Sequence, residues 1–374
     1  MSCPKVKWLP RQRGAALVVA MLVFALVAAL MVGLQRDFTL ILQRGTHQVF
    51  TEQTWAYLIG AEGLAQLALQ ADSRADARAE QPSDHLGELW AQPPNPYPLD
   101  GGGWMQGGIE DLQGRFNLNL LTGLSGGGAG ANGAGGANAP DGDSGDAAPN
   151  SDSDEIDPPS SINGTEGRWS PAQKVLIRLL QALGDASLPL EEAMALTDAI
   201  TDFIDADSQR RERGAEESEY RYADFPYLPA NRSLASVSEL RAVQGMTVPV
   251  YEALAPLVTV WPETGAKLNL LTCPLPVLRA LNADDQMVPL AQMEAERIDA
   301  LRREAVLVSV EDLMADPALE GRPLGELESL LDTRSDWFVL DATVELADRE
   351  RHLFTVLRRS SEQVLAVFRS EGEL

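Results

Sequence analysis

Cysteine is almost missing from this chain of 374 residues: only Cys3 and Cys273 occur. Cys3 lies in a basic leader, so a chain cut beyond that leader keeps one thiol and cannot close an internal disulfide. Its stability must then come from core packing or a bound metal. Histidine is as scarce, and His47, His85 and His352 show no metal-ligand spacing. No nucleophile elbow, phosphate loop or paired-cysteine motif is present, so nothing in the sequence points to an enzyme. Basic side chains are few, 30 against 55 acidic ones, for a net charge of −25. Such a surface repels phosphate backbones and anionic lipid heads, which argues against nucleic acid as a partner and suits divalent cations.

What the chain does contain is one long apolar run. The leader Met1 to Gly14 carries Lys5, Lys7, Arg11 and Arg13 and no acid, and Ala15 to Leu34 follows without a charge. An ordinary secretory signal places its small-residue cleavage site after the apolar core, whereas here the small residue, Gly14, precedes it. A cut between Gly14 and Ala15 therefore discards residues 1–14 and keeps 15–34, which is long enough to span a bilayer as a helix. The cationic leader holds the N-terminal side in the cytoplasm and sends the remainder across, and an uncut signal anchor predicts the same orientation. Without the leader the balance is 26 basic against 55 acidic side chains, about −29.

Helical periodicity continues over 35–72 through Phe38, Ile41, Leu42, Val49, Trp55, Leu58, Ile59, Leu64 and Leu67. One long helix is expected to leave the bilayer and pack along a head. Pro93, Pro94, Pro96 and Pro98 exclude regular structure around them. The following GGGWMQGGIEDLQGRFNLNLL reads as a hairpin turning at Gln113 and Gly114, within a first part of the head at 73–122. Residues 123–167, rich in glycine, alanine, serine and aspartate, predict a disordered loop. Their resemblance to calcium-binding glycine and aspartate repeats lacks the large aliphatic position that those repeats need.

Order resumes as helices. Ser170 with Pro171 opens an amphipathic helix on Val175, Leu176, Leu179, Leu180 and Leu183, and Leu188 to Asp205 forms a second. SVSELRAVQGM at 236–246 and SVEDLMADPAL at 309–319 echo each other, each opening with a capping box, so a small helical unit occurs twice within 168–333. A charged helix is expected near Leu290 to Glu304. The helix, glycine turn, helix outline also fits modules that grip DNA, but the turn offers Arg241 and little other cation, which favours a packing unit. From Ser335, WFVLDATVEL, HLFTVLRRS and EQVLAVFRS read as three antiparallel strands over 334–374 that could pair with residues 104–120. The helical region is then an insertion inside one sheet domain.

The strongest chemical signal is TDFIDADSQRRERGAEESEY at 201–220. Against the calcium loop of an EF-hand, Asp205, Asp207 and Glu216 fall at positions one, three and twelve, where carboxylates are required. Gln209 and Arg210 occupy positions five and six, where that loop has a ligand and a glycine, so a true EF-hand is not expected. Asp202 and Glu217 flank the set. Anions gathered at a helix C-terminus oppose its dipole, a cost that calcium would cancel. A solvated acidic loop paired with Arg210, Arg211 and Arg213 is the competing reading.

In that order, the leader ending in Gly14, the retained apolar helix, IEDLQGRFNLNLL, ITDFIDADSQRRERGAEESEY, LASVSELRAVQGM and LAPLVTVWPETGAKLNLLT resemble the K minor pseudopilins of type II secretion systems, the general secretion pathway protein K family. The likeness spans nearly the whole chain except 123–167. It implies an α+β fold: a pilin-like long N-terminal transmembrane helix on a small antiparallel sheet, with a large α-helical domain inserted between strands. It further implies cleavage at Gly14–Ala15 by the prepilin peptidase and N-methylation of Ala15. It implies a head in the periplasm on a single inner-membrane span, and a place at the pseudopilus tip with the I and J minor pseudopilins, ahead of the H and G pseudopilins. The inserted domain would bind Ca2+ through Asp205, Asp207 and Glu216, with Asp202 and Glu217 as further candidates. The chain departs from the family pattern in starting its mature form with Ala15, in Leu271 where a second asparagine is common, and in the long glycine-rich segment. Most pilins carry glutamate fifth in the mature chain, to neutralise the terminal amine of the subunit ahead; here the fifth residue is Val19, which fits a subunit with nothing ahead of it. A membrane-anchored, uncleaved periplasmic calcium-binding adaptor and a minor pilin of a type IV pilus are the competing classes.

Overall fold

The computed structural model describes residues 15–79, 81–122, 168–222, 225–319 and 322–372. The leader with Gly14 and the glycine-rich segment 123–167 lie outside them. The first helix, α1 (Ala15–Asp76), runs unbroken for 62 residues, about 90 Å. Among the described residues nothing buries its first half, and within it lies a stretch long and apolar enough to cross a membrane. Burial begins at Thr54 and continues at Leu58, Ala61, Glu62, Ala65 and Leu69, one helical face. Leu64 and Leu67, which the sequence pattern counts with the core residues, lie on the opposite face, 60% and 62% exposed.

That buried face packs on a five-stranded sheet in the order β1 (Tyr97–Pro98), β2 (Trp104–Asp111), β7 (Trp337–Leu346), β8 (Arg349–Arg359) and β9 (Val364–Ser370). Every pairing in it is antiparallel. Period-two alternation along β7 sends Phe338, Leu340, Ala342 and Val344 against Leu58, Ala61, Ala65 and Leu69 of α1. Glu62 is buried on this face and is answered by Arg369 of β9 at 2.6 Å.

β2 and β7 pair along their length, from Trp104 with Glu345 to Asp111 with Phe338. These strands are far apart in sequence, so the helical region is inserted between neighbours of one sheet. The expected hairpin at Gln113 and Gly114 is not formed. After β2 the chain makes a single 3-10 turn at Leu112–Gly114 and leaves the sheet. The cause is Gln113, whose amide donates to the Lys267 carbonyl (3.0 Å) while its side-chain oxygen accepts from the Asp336 backbone N–H (2.6 Å), pinning the turn to distant segments. Tyr97 and Pro98, expected to be irregular, form a two-residue edge strand, where proline is tolerated.

Two parallel mini-sheets frame the insertion. β3 (Phe116–Asn117) pairs with β4 (Val258–Thr259), and β5 (Leu268–Asn269) with β6 (Leu331–Asp332). Between the first pair lie α2 (Pro171–Leu180), α3 (Leu190–Ile204), α4 (Glu217–Arg221) and α5 (Val248–Leu254); between the second lie α6 (Leu275–Ala280), α7 (Gln292–Arg303) and α8 (Val310–Met314). Each unit opens with an asparagine that accepts from the amide two residues on, Asn117 from Asn119 and Asn269 from Leu271, both at 2.9 Å. Each contains a Ser-Val capping box: Ser236 with Glu239, and Ser309 with Asp312. The echo in the sequence is thus a repeated unit of strand, helices and strand, and both copies share one core. Where the first copy has Asn119, bonded to the Leu234 and Val260 carbonyls, the second has Leu271, buried in that core. Arg241, the cation at the first unit's turn, lies over the Tyr251 ring at 4.4 Å, a packing role.

A buried polar knot joins the insertion to the sheet. Asp111, at the end of β2, accepts from Thr272 (2.5 Å), Ser335 (2.6 Å) and Asn269 (3.1 Å), and Asn269 also donates to the Asp84 carbonyl (3.0 Å). Burial pushes the Asp111 carboxyl up to about 6 despite these donors.

Candidate metal centre

Helix α3 delivers the acids. Asp198, Asp202 and Asp205 fall four and three residues apart, one face of a helix, and at its end that face meets the loop 205–216. Thr197 and Thr201 on α3 return their hydroxyls to carbonyls one turn back (2.8 Å each), leaving the acids to be satisfied from elsewhere. Asp198 is: Arg168 donates to it at 3.0 Å and the Arg213 amide at 3.4 Å. Asp202, wholly buried, accepts from the Arg211 amide through Oδ2 (3.1 Å), while its Oδ1 has the Arg211 side chain 3.3 Å away without hydrogen-bond geometry.

Asp205, Asp207 and Glu216 each bring an oxygen to within 4.8 Å of the other two. The exit helix α4 starts immediately after Glu216, so the segment has the order helix, twelve-residue loop, helix. Asp207 additionally accepts from the Gln209 amide at 2.7 Å, and Arg210, standing where an EF-hand has glycine, donates to the Gly214 carbonyl at 2.8 Å to hold the turn. Glu217 is not part of the group: exposed, it pairs with Arg221 one turn along α4. Asp202 lies beneath the three acids and is held by Arg211.

A hard cation fits this donor set. Oδ1 of Asp202, Oδ1 of Asp205 and both Oε atoms of Glu216 are buried without a hydrogen-bond partner. Buried carboxylate oxygens are rarely left so, because each forfeits its hydration. Burial, chiefly, drives Asp202 up to about 7 and Asp205 to about 6, the latter aided by the charge of Asp207; Glu216 is raised by burial and by Asp205. Oxygen-only ligands of high charge are what calcium takes.

The sequence pattern missed Asp198, whose helical spacing with Asp202 was there to be read. It also missed a second acidic group, Asp72, Asp84 and Glu88, gathered from α1 and the following loop. That group is already served by a cation of the chain itself: Arg359 reaches Asp72 at 2.7 Å and Asp84 at 2.5 Å. Glu88, pushed up to about 8 by burial, accepts from the Trp90 indole.

Residues 114–263 match the family model for type II secretion system protein K. The type II secretion system protein K of Pseudomonas aeruginosa is 31% identical over 358 residues, covering 95% of this chain and 91% of its own, and that of Dickeya chrysanthemi is 31% identical over 97% of both. Among solved structures, the crystal structure of the GspK-GspI-GspJ complex from the enterotoxigenic Escherichia coli type 2 secretion system superposes with a TM-score of 0.64 at 24% identity, covering 88% of this chain and 100% of the other. The chain belongs to the type II secretion system protein K family.

Proposed function

We propose that this protein is a minor pseudopilin which, with I and J counterparts, forms the tip of a pseudopilus and starts its assembly for the export of folded proteins. The observation that carries the reading is membership of the protein K family together with a fold likeness, over 88% of this chain, to a structure solved as a GspK-GspI-GspJ complex. The first half of α1, left unburied by the described residues, supports it, since such a helix is free to pack in a bilayer or among neighbouring subunits. Prepilin peptidase cuts between Gly14 and Ala15 and Ala15 is N-methylated; the span rests in the inner membrane with the head in the periplasm, and H and G pseudopilins follow behind. The role is structural, not catalytic.

The inserted domain binds Ca2+ through Asp205, Asp207 and Glu216, with Asp202 close beneath; Glu217 is left out because it faces Arg221. The carrying observation is the set of buried carboxylate oxygens that accept no hydrogen bond, with Arg211 as the one cation beside Asp202 and Asp205 among the described residues. The ion would cancel the mutual repulsion of these acids and fix the loop between α3 and α4.

N-terminal sequencing of membrane-purified protein tests the processing: N-methyl-Ala15 is expected, and an intact Met1 would point to the uncleaved adaptor. Co-purification with the I and J counterparts tests the tip assignment. For the metal, calcium should raise the melting temperature of the wild type but not of Asp205→Ala with Asp207→Ala; a shift that survives the double substitution overturns the site.

A further inference from the structure

The two edges of the five-stranded sheet are built differently. One is β1, two residues long and closed by Pro98. The other is β9, seven residues long, and Val364 to Phe368 contain no charge and no proline. Among the described residues no strand pairs with its outer side. Exposed edges are normally blunted by shortness, charge or proline, because a long apolar edge recruits another strand. β1 follows that rule; β9 is neither short nor closed by proline, and its only blunting is the bulge that leaves Val367 without a partner on β8 and Arg369 near its end.

The surface beside β9 is correspondingly apolar and aromatic. Leu365, Val367 and Phe368 are 49%, 47% and 41% exposed. Phe368 lies 5.5 Å from Trp261, which stacks on Trp337 at 6.2 Å. Trp261 comes from the insertion and the other two from the sheet, so the patch is a fixed junction. Next to it opens a polar cleft of about 550 Å3 that includes Lys267, Arg334 and Arg358 against Asp332 and Asp336. Cations outnumber acids there, although the chain as a whole carries −25. Arg358 rests over the Trp337 ring at 5.6 Å, exposed and without a carboxylate partner among the described residues.

We propose that β9 is a strand-addition site for an extended, apolar segment bearing a carboxylate, contributed by a neighbouring subunit of the pseudopilus tip. This rests on the tip reading above. The main chain of the incoming segment pairs with β9, its apolar side chains cover Leu365, Phe368 and the Trp261–Trp337 stack, and its carboxylate meets Arg358 at the cleft. Main-chain pairing supplies the affinity and the alternating side-chain contacts the selectivity. Charge complementarity decides the occupant: a second copy would bring the same cations to the cleft, whereas an acidic segment neutralises them.

The test uses the full-length chain, alone and co-purified in detergent with its I and J counterparts. In the complex the backbone amides of residues 364–370 should exchange at least about tenfold more slowly than in the isolated chain. Leu365→Lys should weaken the complex at least about tenfold with an unchanged melting temperature, since this side chain is half exposed and lies outside the aromatic stack. A complex that forms normally with unaltered exchange at 364–370 overturns the strand-addition site. Protection that appears instead in the isolated chain as its concentration rises assigns the edge to a second copy and overturns the partner. Failure of the wild type to form any complex with I and J rejects the tip reading, a separate result.

Discussion

A Cβ added to Gly214 would stand 1.9 Å from Oδ2 of Asp202 and 2.6 Å from its Cγ, so the two residues cannot keep their places unless position 214 is bare. The main chain of α3 closes the other side, with the Asp198 carbonyl at 3.2 Å. Gly214→Ala therefore cannot be relieved by a side-chain swing into open space. Overpacking of this kind costs about 1–3 kcal/mol. Thermal melts of Gly214→Ala should show that loss in calcium-free buffer, together with weaker calcium binding, because the loop that carries Glu216 is displaced. A calcium titration unchanged from wild type would show that the glycine serves packing alone.

The acids around that glycine make stability depend on pH and, on the proposed assignment, on calcium as well. Asp202 and Asp205 titrate near 7 and 6 in the folded chain against an ordinary value of 3.8, mainly through burial. The folded state thus holds protons that the unfolded chain has released, so in calcium-free buffer this cluster removes stability as pH rises from about 4 to about 7. The cost is absent below the unfolded value and complete above the folded one. On the proposed assignment calcium is held by the deprotonated acids, so its stabilising effect should grow over the same window. Melting with and without calcium at about pH 5 and about pH 7.5 is expected to give the larger shift at the higher pH. An equal shift at both would contradict the assignment of these carboxylates to the ion.

How much of this could be read from the chain differs by the range of the contacts. The long helix and the strands at Trp337, Arg349 and Val364 announce themselves because periods of 3.6 and two are written locally. So do the boxes at Ser236 and Ser309, whose partners are three residues away. Asp205, Asp207 and Glu216 were legible for the same reason, being on one short loop. The supposed hairpin at Gln113 was not, because the groups that turn the chain away are Lys267 and Asp336. Nor was the set of Asp72, Asp84 and Arg359, where the balancing cation arrives from β8. Pairs such as Phe116 with Val258 are too short for any periodicity to betray them.

Asn269 marks the point where insertion and sheet depend on one another. Its amide donates to the Asp84 carbonyl, to Asp111 and to Ser335, and its oxygen accepts from the Leu271 amide. Asn269→Leu would strand several of these buried groups at once, each costing about 1–3 kcal/mol. Unfolding in denaturant should register a loss of about 2–4 kcal/mol, short of the full sum because neighbours relax. Limited proteolysis should find new cleavage near Thr333–Ser335, where the insertion returns to the sheet. A stability equal to wild type would mean that the knot is not what couples the two cores.

Val19 bears on the leading position itself. With the proposed cut after Gly14 it is the fifth residue of the mature chain, and α1 shows no acid in its first turn. In a membrane of low dielectric, a carboxylate at this depth is costly unless it meets a cation, and the cation available in a stack of such helices is the terminal amine of the subunit ahead. A subunit at the tip has no subunit ahead, so an acid there would stay unpaired. Val19→Glu should therefore bring no gain in assembly and a modest fall in the amount of chain held stably in the membrane. Pseudopili counted in cells carrying the variant, beside membrane fractions probed for the protein, give the measure. A marked rise in pseudopilus number with Val19→Glu would place this subunit behind another and overturn its position at the tip.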